Sequence, residues 1–410
     1  MGIKKLFTFL DNNKLYKKYP YLNDLIIDLN IDKKKLLVGV DGNLFCYKYT
    51  HSYDNMLIGF FNQILKFLSN KIIPLYIFDG GTLHEKENTN LIRYHKKIIS
   101  KLKLEKIEEQ IDYLDNDELK HKGELLLIKK KLEKNSTKIN LENINTLLEL
   151  FDLLNIPYIF SYGEGEYLAV LLNKYNIIDF FLTDDTDPIP AGINKTIKFY
   201  NNSVYYLETK LINDVLKLDS NELCDLCILF GSDYNVFNHG LKTNEIYELI
   251  LKFKSIEEII KNNMINSLDD NSLLLINKIR NIYFNSDNLE KKFFIENNNI
   301  FNLNHIVNES NNNVNIIIDH SNMLFYSNVM LEYWDEFIQI ISMDINSNTT
   351  DKIYNMSNEF KYNICSYINK SKFNTKNIIK YIKNNINDIT SDEIEDIITS
   401  FNFLNTFGLF

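Results

Sequence analysis

Proline and glycine are scarce, with 5 and 13 residues in a chain of 410. A sandwich or barrel made of many tight turns needs more of both, so the scarcity favours helices around a modest sheet. Only four cysteines occur, Cys46, Cys224, Cys227 and Cys365. They are too few for a disulfide framework at this length and suit a reducing, intracellular compartment. No apolar run reaches the span of a membrane helix and no secretory signal is visible, so a soluble protein without a membrane partner is expected. Met1-Gly2 opens the chain, but Leu6 stands where a myristoylation motif requires Ser or Thr. Positive charge is lacking overall. The formal net charge of −10 excludes a polycation that coats nucleic acid and leaves any grip on it to local patches.

Core material is abundant by contrast. Hydrophobic residues make up 45% of the chain, with 25 Tyr and 27 Phe and a single Trp, Trp334. At about 150 residues per domain, roughly two or three domains fit. The excess of Asn, Ile and Lys points to an AT-rich genome.

Leu36 to Val40 and Ile72 to Phe78 are apolar runs ending in Asp41-Gly42-Asn43 and Asp79-Gly80-Gly81, and both read as buried parallel strands. Ile58, Phe61, Ile64, Leu65 and Leu68 recur between them at helical spacing, which completes a right-handed strand-helix-strand unit. Leu141 to Leu154 predicts an amphipathic helix ending before Pro157, Tyr158 to Phe160 a strand, Gly163 to Leu172 a turn into a helix, and Ile177 to Leu182 another strand. Leu223 to Phe230 predicts a helix stopped by Gly231. The stretch from 83 to 140 is dense in charge. Between Arg93 and Lys106 it carries six basic residues against one acid, Glu105, and Arg93, Lys97 and Lys101 fall on one helical stripe. Leu91, Ile98 and Leu102 mark a different face. Beyond Ile256, helical patterns are separated by Asn-rich linkers at 297–304 and 308–313. Val314 to Asn322, with Asp319, faintly echoes the segment around Asp41, an echo short enough to be coincidence.

Seven acidic residues sit at the ends of these apolar runs or in helix-starting turns: Asp41, Asp79, Glu164, Glu166, Asp185, Asp187 and Asp233. A lone Asp in such a place is usually a helix cap or turn residue. Gathered together, unit charges about 4 Å apart repel by roughly 4 kcal/mol at an effective dielectric near 20. Divalent cations would relieve that repulsion, and a two-metal phosphodiesterase site is the economical reading.

The chain resembles the flap-endonuclease (XPG-type) family of structure-specific 5′ nucleases. The resemblance runs through Met1-Gly2-Ile3-Lys4-Lys5-Leu6, Val40-Asp41-Gly42-Asn43, Tyr76-Ile77-Phe78-Asp79-Gly80, Gly163-Glu164-Gly165-Glu166, Asp184-Asp185-Thr186-Asp187 and Asp225 to Tyr234. These strings occur in family order with similar separations, which together is highly specific. The resemblance implies an α/β fold with a PIN-like (Rossmann-like), mostly parallel sheet flanked by helices. It divides the chain into a nuclease core at 1–260 and a divergent, mainly helical C-terminal region at 261–410. Within the core it expects an N-terminal region over about 1–105, a helical arch over about 83–140, an internal region over about 150–235 and a helix-hairpin-helix-like segment over about 233–260.

Residue by residue, the family's metal-binding carboxylates fall on Asp41, Asp79, Glu164, Glu166, Asp185, Asp187 and Asp233. They imply two Mg²⁺ ions about 4 Å apart, with Mn²⁺ as a substitute, rather than zinc. Lys86 and Arg93 match the arch residues that polarise the phosphate. Tyr47 matches a tyrosine that stacks a base, and Gly2 a glycine close to the active site. Lys96, Lys97 and Lys101 become expected DNA contacts along the arch, and Gly240 and Lys242 along the hairpin. The family usually carries Gly-Ile-Gly at that hairpin, whereas this chain has Gly240-Leu241-Lys242. Losing the second glycine constrains the turn and puts its K⁺ ion in doubt. Pro188, Pro190 and Gly165 are further departures.

The expected activity is metal-dependent hydrolysis of DNA phosphodiesters at junctions of single strand and duplex, on 5′ flaps, gaps or branched junctions, in replication, repair or recombination. A monomer is expected, in the nucleus or, for a large DNA virus, at cytoplasmic replication sites. A catalytically weak junction-binding scaffold and a Rossmann-like metal phosphatase are the competing readings. Asn43 stands where the phosphatase needs a second Asp. Cys224 and Cys227 have no second pair to form a zinc site and read as core. Phe401 to Phe410 is vaguely like a sliding-clamp peptide but lacks its glutamine.

Overall fold

The computed structural model describes residues 2–53, 55–81, 86–112, 119–235, 237, 239–265, 267–298, 327–370, 373–386, 394–396, 399–400 and 402. The echo at Val314 to Asn322, most of the Asn-rich linkers and, Asn402 apart, the clamp-like terminal segment lie outside them.

Helix α1 (Leu6–Asn12), strand β1 (Lys17–Tyr19) and helix α2 (Leu22–Asp28) precede β2 (Leu37–Asp41). Helices α3 (Gly42–Ser52) and α4 (Met56–Ser69) connect it to β3 (Ile73–Phe78). Helices α5 (Glu87–Asp112) and α6 (Leu119–Ser136), over the stretch expected as the arch, pack against each other, and α7 (Leu141–Leu153) returns the chain to β4 (Tyr158–Phe160). Helix α8 (Gly165–Lys174) leads to β5 (Phe180–Leu182), followed by a hairpin of β6 (Lys195–Tyr200) and β7 (Ser203–Glu208). Then come α9 (Thr209–Leu216), α10 (Ser220–Phe230), α11 (Thr243–Phe253), α12 (Ile256–Lys261) and the long α13 (Asp270–Glu296). The last named helices are α14 (Asn328–Glu332), α15 (Trp334–Ser342), α16 (Thr350–Lys370) and α17 (Thr375–Asn385).

The seven strands form one sheet in the order β1-β7-β6-β5-β2-β3-β4. From β6 to β4 every neighbouring pair is parallel, while β7 and β1 add an antiparallel edge. Strand β3 is buried along its whole length and β2 everywhere but Asp41, as expected for parallel strands covered on both faces. Their apolar character made them legible. The β6-β7 hairpin was not expected, although Asn201 and Asn202 at its tip take φ of 47° and 57°, the left-handed pair that a two-residue hairpin turn needs. The strand expected from Ile177 begins only at Phe180.

The C-terminal helices are packed onto the sheet-bearing part rather than hung from it. Buried Lys361 on α16 pairs with Asp179 at 2.7 Å, Ser357 Oγ donates to the Tyr175 carbonyl at 2.6 Å, and the Asn55 amide donates to the Asn385 carbonyl at 2.9 Å. Phe294 of α13 packs edge-on against Trp334 and Phe337. One apolar core runs through both parts.

Candidate functional site

Parallel pairing brings the carboxyl ends of β2, β3 and β5 side by side, the position where open α/β sheets hold ligands. Asp41 ends β2 and caps α3, where its side chain accepts from the Leu44 amide at 2.9 Å and from Thr183 Oγ1 at 2.9 Å. Asp79 follows β3 and accepts from the Gly165 amide at 2.7 Å and the Asn43 amide group at 2.6 Å. Glu164 and Glu166 open α8, Asp185 and Asp187 follow β5, and Asp233 follows α10.

All seven carboxylates belong to one electrostatic network. Burial first, and the charge of Asp79 next, push Asp41 up to about 7, with Asp185 adding to the effect. Burial also pushes Asp79 up to about 6, and Glu164 adds to that. Asp187 is fully buried. Its burial, together with Asp185, Asp233 and Glu164, raises it to about 8. Glu166 is raised by burial and then by Asp185, Asp187 and Glu164. Repulsion of this kind, left unrelieved, is what the close gathering of like charges predicts.

Two basic side chains reach into this network. Lys86, only 8% exposed, lies one residue before α5, 2.5 Å from Glu164 and 3.7 Å from Asp187. Burial works against its ammonium, but Glu166, Asp187 and Glu164 outweigh it and the net direction is strongly up. Arg93 on α5 donates to Asp233 at 2.5 Å, and Thr89 holds the Asp233 carbonyl, so the foot of the arch is tied to the site.

Among the described residues, no group of three or more His, Cys, Asp or Glu is arranged to hold a metal ion as it stands. The donor set nevertheless fits a hard divalent cation. It is all oxygen, and buried Glu166 Oε2 and Asp187 Oδ2 have no hydrogen-bond partner.

Gly2 stands where the resemblance put it. It has φ of +78°, and a Cβ there would lie 1.8 Å from Asp185 Oδ1, so no side chain fits. Gly165, a departure at sequence level, is explained by its short amide contact with Asp79; a Cβ there would stand 3.3 Å from that carboxylate.

A groove of about 1030 Å³ separates α3 from the arch. It collects Tyr47, Lys48, Arg93, Lys96, Lys97 and Lys103 against one acid, Asp184. Lys97 Nζ lies 4.9 Å from the centre of the Tyr47 ring, so the expected stacking residue and an arch lysine are brought together. Lys101, expected with them, is exposed and does not line the groove. Leu91, Ile98 and Leu102 are exposed as well. Gly240 and Lys242 lie between α10 and α11. Gly240 takes φ of +73°, and the Lys242 amide donates to Glu245 at 2.6 Å. Residues 236 and 238 of that connection lie outside the described residues, and the K⁺ expectation with them. Cys224 and Cys227 are buried in the core.

Several supporting residues were missed from sequence. Thr183 and Asn43 orient Asp41 and Asp79. Tyr234 shares its hydroxyl with Tyr167 at 2.5 Å and donates to Glu164 at 3.3 Å, while Tyr283 reaches Asp187 at 3.4 Å. The most consequential is Glu290 on α13. Its buried carboxylate accepts the Tyr162 amide at 2.8 Å and the Gly163 amide at 2.9 Å, and the Gly163 carbonyl in turn accepts from Gly80 and Gly81. One side chain thereby braces the turns that carry Asp79 and Glu164, and nothing near position 290 marks it. Glu290→Gln turns one acceptor into a donor facing an N–H. Leaving those groups unsatisfied costs about 1–3 kcal/mol, and steady-state kinetics should show kcat falling about 10-fold with KM unchanged.

The XPG N-terminal domain matches residues 1–98 and the XPG I-region matches residues 155–233, spans that contain all seven carboxylates, Lys86 and Arg93. Flap endonuclease 1 of Enterocytozoon bieneusi (strain H348) is 25% identical over 275 residues, covering 63% of this chain and 72% of that protein. "Probable RAD2-like endonuclease 076L" of Invertebrate iridescent virus 3 is 27% identical over 320 residues, covering 63% and 81%. The fold is that of flap endonuclease-1 from Methanococcus jannaschii, with TM-score 0.52 and 16% identity over 96% of this chain and 98% of the other. It is also that of the catalytic core of Rad2 in complex with DNA substrate, with TM-score 0.52 and 14% identity over 98% and 100%. The chain thus carries the XPG N-terminal domain and the XPG I-region in order, with their acidic residues gathered at the carboxyl ends of neighbouring strands, and is similar to flap endonucleases and RAD2-like endonucleases.

Proposed function

We propose that this protein is a divalent-metal-dependent, structure-specific 5′ nuclease that hydrolyses DNA phosphodiesters where a 5′ single strand meets duplex. The single observation that carries the reading is the buried carboxylate network opening beside a basic groove lined by Tyr47 and arch lysines. Asp41, Asp79, Glu164, Glu166, Asp185, Asp187 and Asp233 would hold Mg²⁺ or Mn²⁺. When bound, the ions supply an activated water and neutralise charge on the leaving oxygen.

The chain's own residues do the rest. Tyr47 presents a face to a base, and Lys96 and Lys97 take phosphates as the strand passes between α3 and the arch. Lys86 and Arg93 stand ready to leave their carboxylate partners for the scissile phosphate and to offset the charge that grows on it. A small-molecule phosphatase has no use for such a groove. A non-cutting scaffold has no use for unrelieved buried repulsion.

Purified protein incubated with labelled 5′-flap, gapped, nicked and four-way DNA tests the proposal. Mg²⁺-stimulated cleavage leaving a 5′-phosphate is expected, together with its loss in Asp185→Ala. Absence of cleavage on every substrate, with that variant indistinguishable from wild type, defeats it.

A further inference from the structure

Lys48 lines two clefts. On one side is the arch groove; on the other is a separate cleft of about 710 Å³ between the start of α2, the end of α4 and the tip of the β6-β7 hairpin. The second cleft lies within the size range of binding sites, about 300–1,000 Å³. Its character is specific. Tyr21 and Tyr200 are 73% and 46% exposed; Tyr200 packs edge-on against Phe7 and Tyr205, neither of which lines the cleft. Lys66 is exposed with its Nζ 4.9 Å from the Phe199 ring centre, and Lys48 is the second ammonium on the lining. Asp24 is the one acid among the lining residues. Open aromatic faces interleaved with ammonium groups match the chemistry of single-stranded nucleic acid, whose bases stack without regard to sequence while its phosphates seek cations. A rigid duplex keeps its bases stacked inside and offers nothing to Tyr21 or Tyr200.

We propose that this cleft is a second single-strand site, in which the displaced 5′ strand, after passing Lys48, stacks its bases on Tyr200 and Tyr21 and sets a phosphate against Lys66. The proposal rests on the nuclease reading for the identity of the strand. It adds that reach beyond the arch, rather than the junction alone, contributes to grip.

Equilibrium binding of fluorescent flap DNA in Ca²⁺, without turnover, tests it. Flaps of two and of fifteen nucleotides should differ in affinity about 10-fold in favour of the longer, the scale of one or two stacked bases. Tyr200→Ala combined with Lys66→Glu should erase that advantage while leaving the two-nucleotide flap bound as in wild type. Because Lys66 is exposed and Tyr200 loses only its edge-on contacts with Phe7 and Tyr205, a small fall in melting temperature is expected for the variant, with the two-nucleotide flap as the control for folding. A variant that keeps the wild-type preference for the long flap overturns the proposal, as does a wild type indifferent to flap length. Cleavage failing in Mg²⁺ while the length-dependent binding persists would instead overturn the catalytic reading and leave this site standing.

Discussion

Asp187→Asn should abolish cleavage and at the same time raise the melting temperature of the protein in chelator. Asp187 has no solvent exposure, its Oδ2 lacks a hydrogen-bond partner, and its neighbours Asp185, Asp233 and Glu164 share its sign. An amide there needs no proton taken up on folding near neutral pH and adds no charge to a repelling, desolvated group, which stabilises the folded state, by about 2–4 °C per kcal/mol. The same change replaces an anionic carboxylate of the proposed metal set by a neutral amide with one oxygen, and a loss of at least about 10³-fold in cleavage follows from weakened metal-centred charge stabilisation. Differential scanning fluorimetry in chelator and in Mg²⁺, beside single-turnover cleavage, gives both readouts. Wild type should gain stability on adding Mg²⁺ and the variant much less, because a ligand that binds only the folded state stabilises in proportion to its occupancy. A variant less stable than wild type in chelator sinks the prediction.

The pH dependence follows with a definite sign. Asp79, Asp41 and Asp187 keep protons in the folded protein up to about 6, 7 and 8, whereas in the unfolded chain they lose them near 3.8, the ordinary value for an aspartate. Between those limits the folded state binds more protons than the unfolded one, so stability in chelator falls as pH rises from about 4 to about 8. Divalent metal should flatten that decline.

Lys86→Met should have the opposite effect on the metal-free protein. The Lys86 ammonium is buried between Glu164 and Asp187 and is the nearest positive charge to both. Removing it leaves uncompensated buried carboxylates, which costs about 3–5 kcal/mol and shows as a lowered melting temperature in chelator. Saturating Mg²⁺ should restore much of the stability. It should not restore the rate, which is expected to stay about 10²-fold down because a positioned cation for the phosphate is gone. Recovery of both quantities together in Mg²⁺ would mean that Lys86 only substitutes for the metal and takes no part at the phosphate.

The acidic set was legible because parallel strands buried on both faces are written as short apolar runs, and Asp41 and Asp79 stand at their ends. Glu164, Asp185 and Asp233 were legible for the neighbouring reason, that turns into and out of helices carry Gly and Asp marks. What escaped were partners whose role depends on tertiary proximity alone. Glu290 lies in a helix whose pattern says only that one face is buried, and Tyr167, Tyr234 and Tyr283 read as ordinary core aromatics. The antiparallel edge escaped because short Tyr-rich strands alternate too briefly to stand out. Lys101 shares the stripe of Arg93 and Lys97 but lies outside the groove, because a stripe of like charge on a helix does not say which part of it faces a groove.

The brace from α13 also has a meaning in time. Asp41, Asp79, Glu164 and Asp187 leave the ribosome well before Glu290, and at about 5–20 residues per second the interval after Asp187 is roughly 5–20 s. Until that carboxylate arrives to clasp the Tyr162 and Gly163 amides, the turn beside Asp79 and Glu164 has no lock. A nascent chain thus has its acidic turns fully braced only after residue 290 has emerged, about a hundred residues behind Asp187.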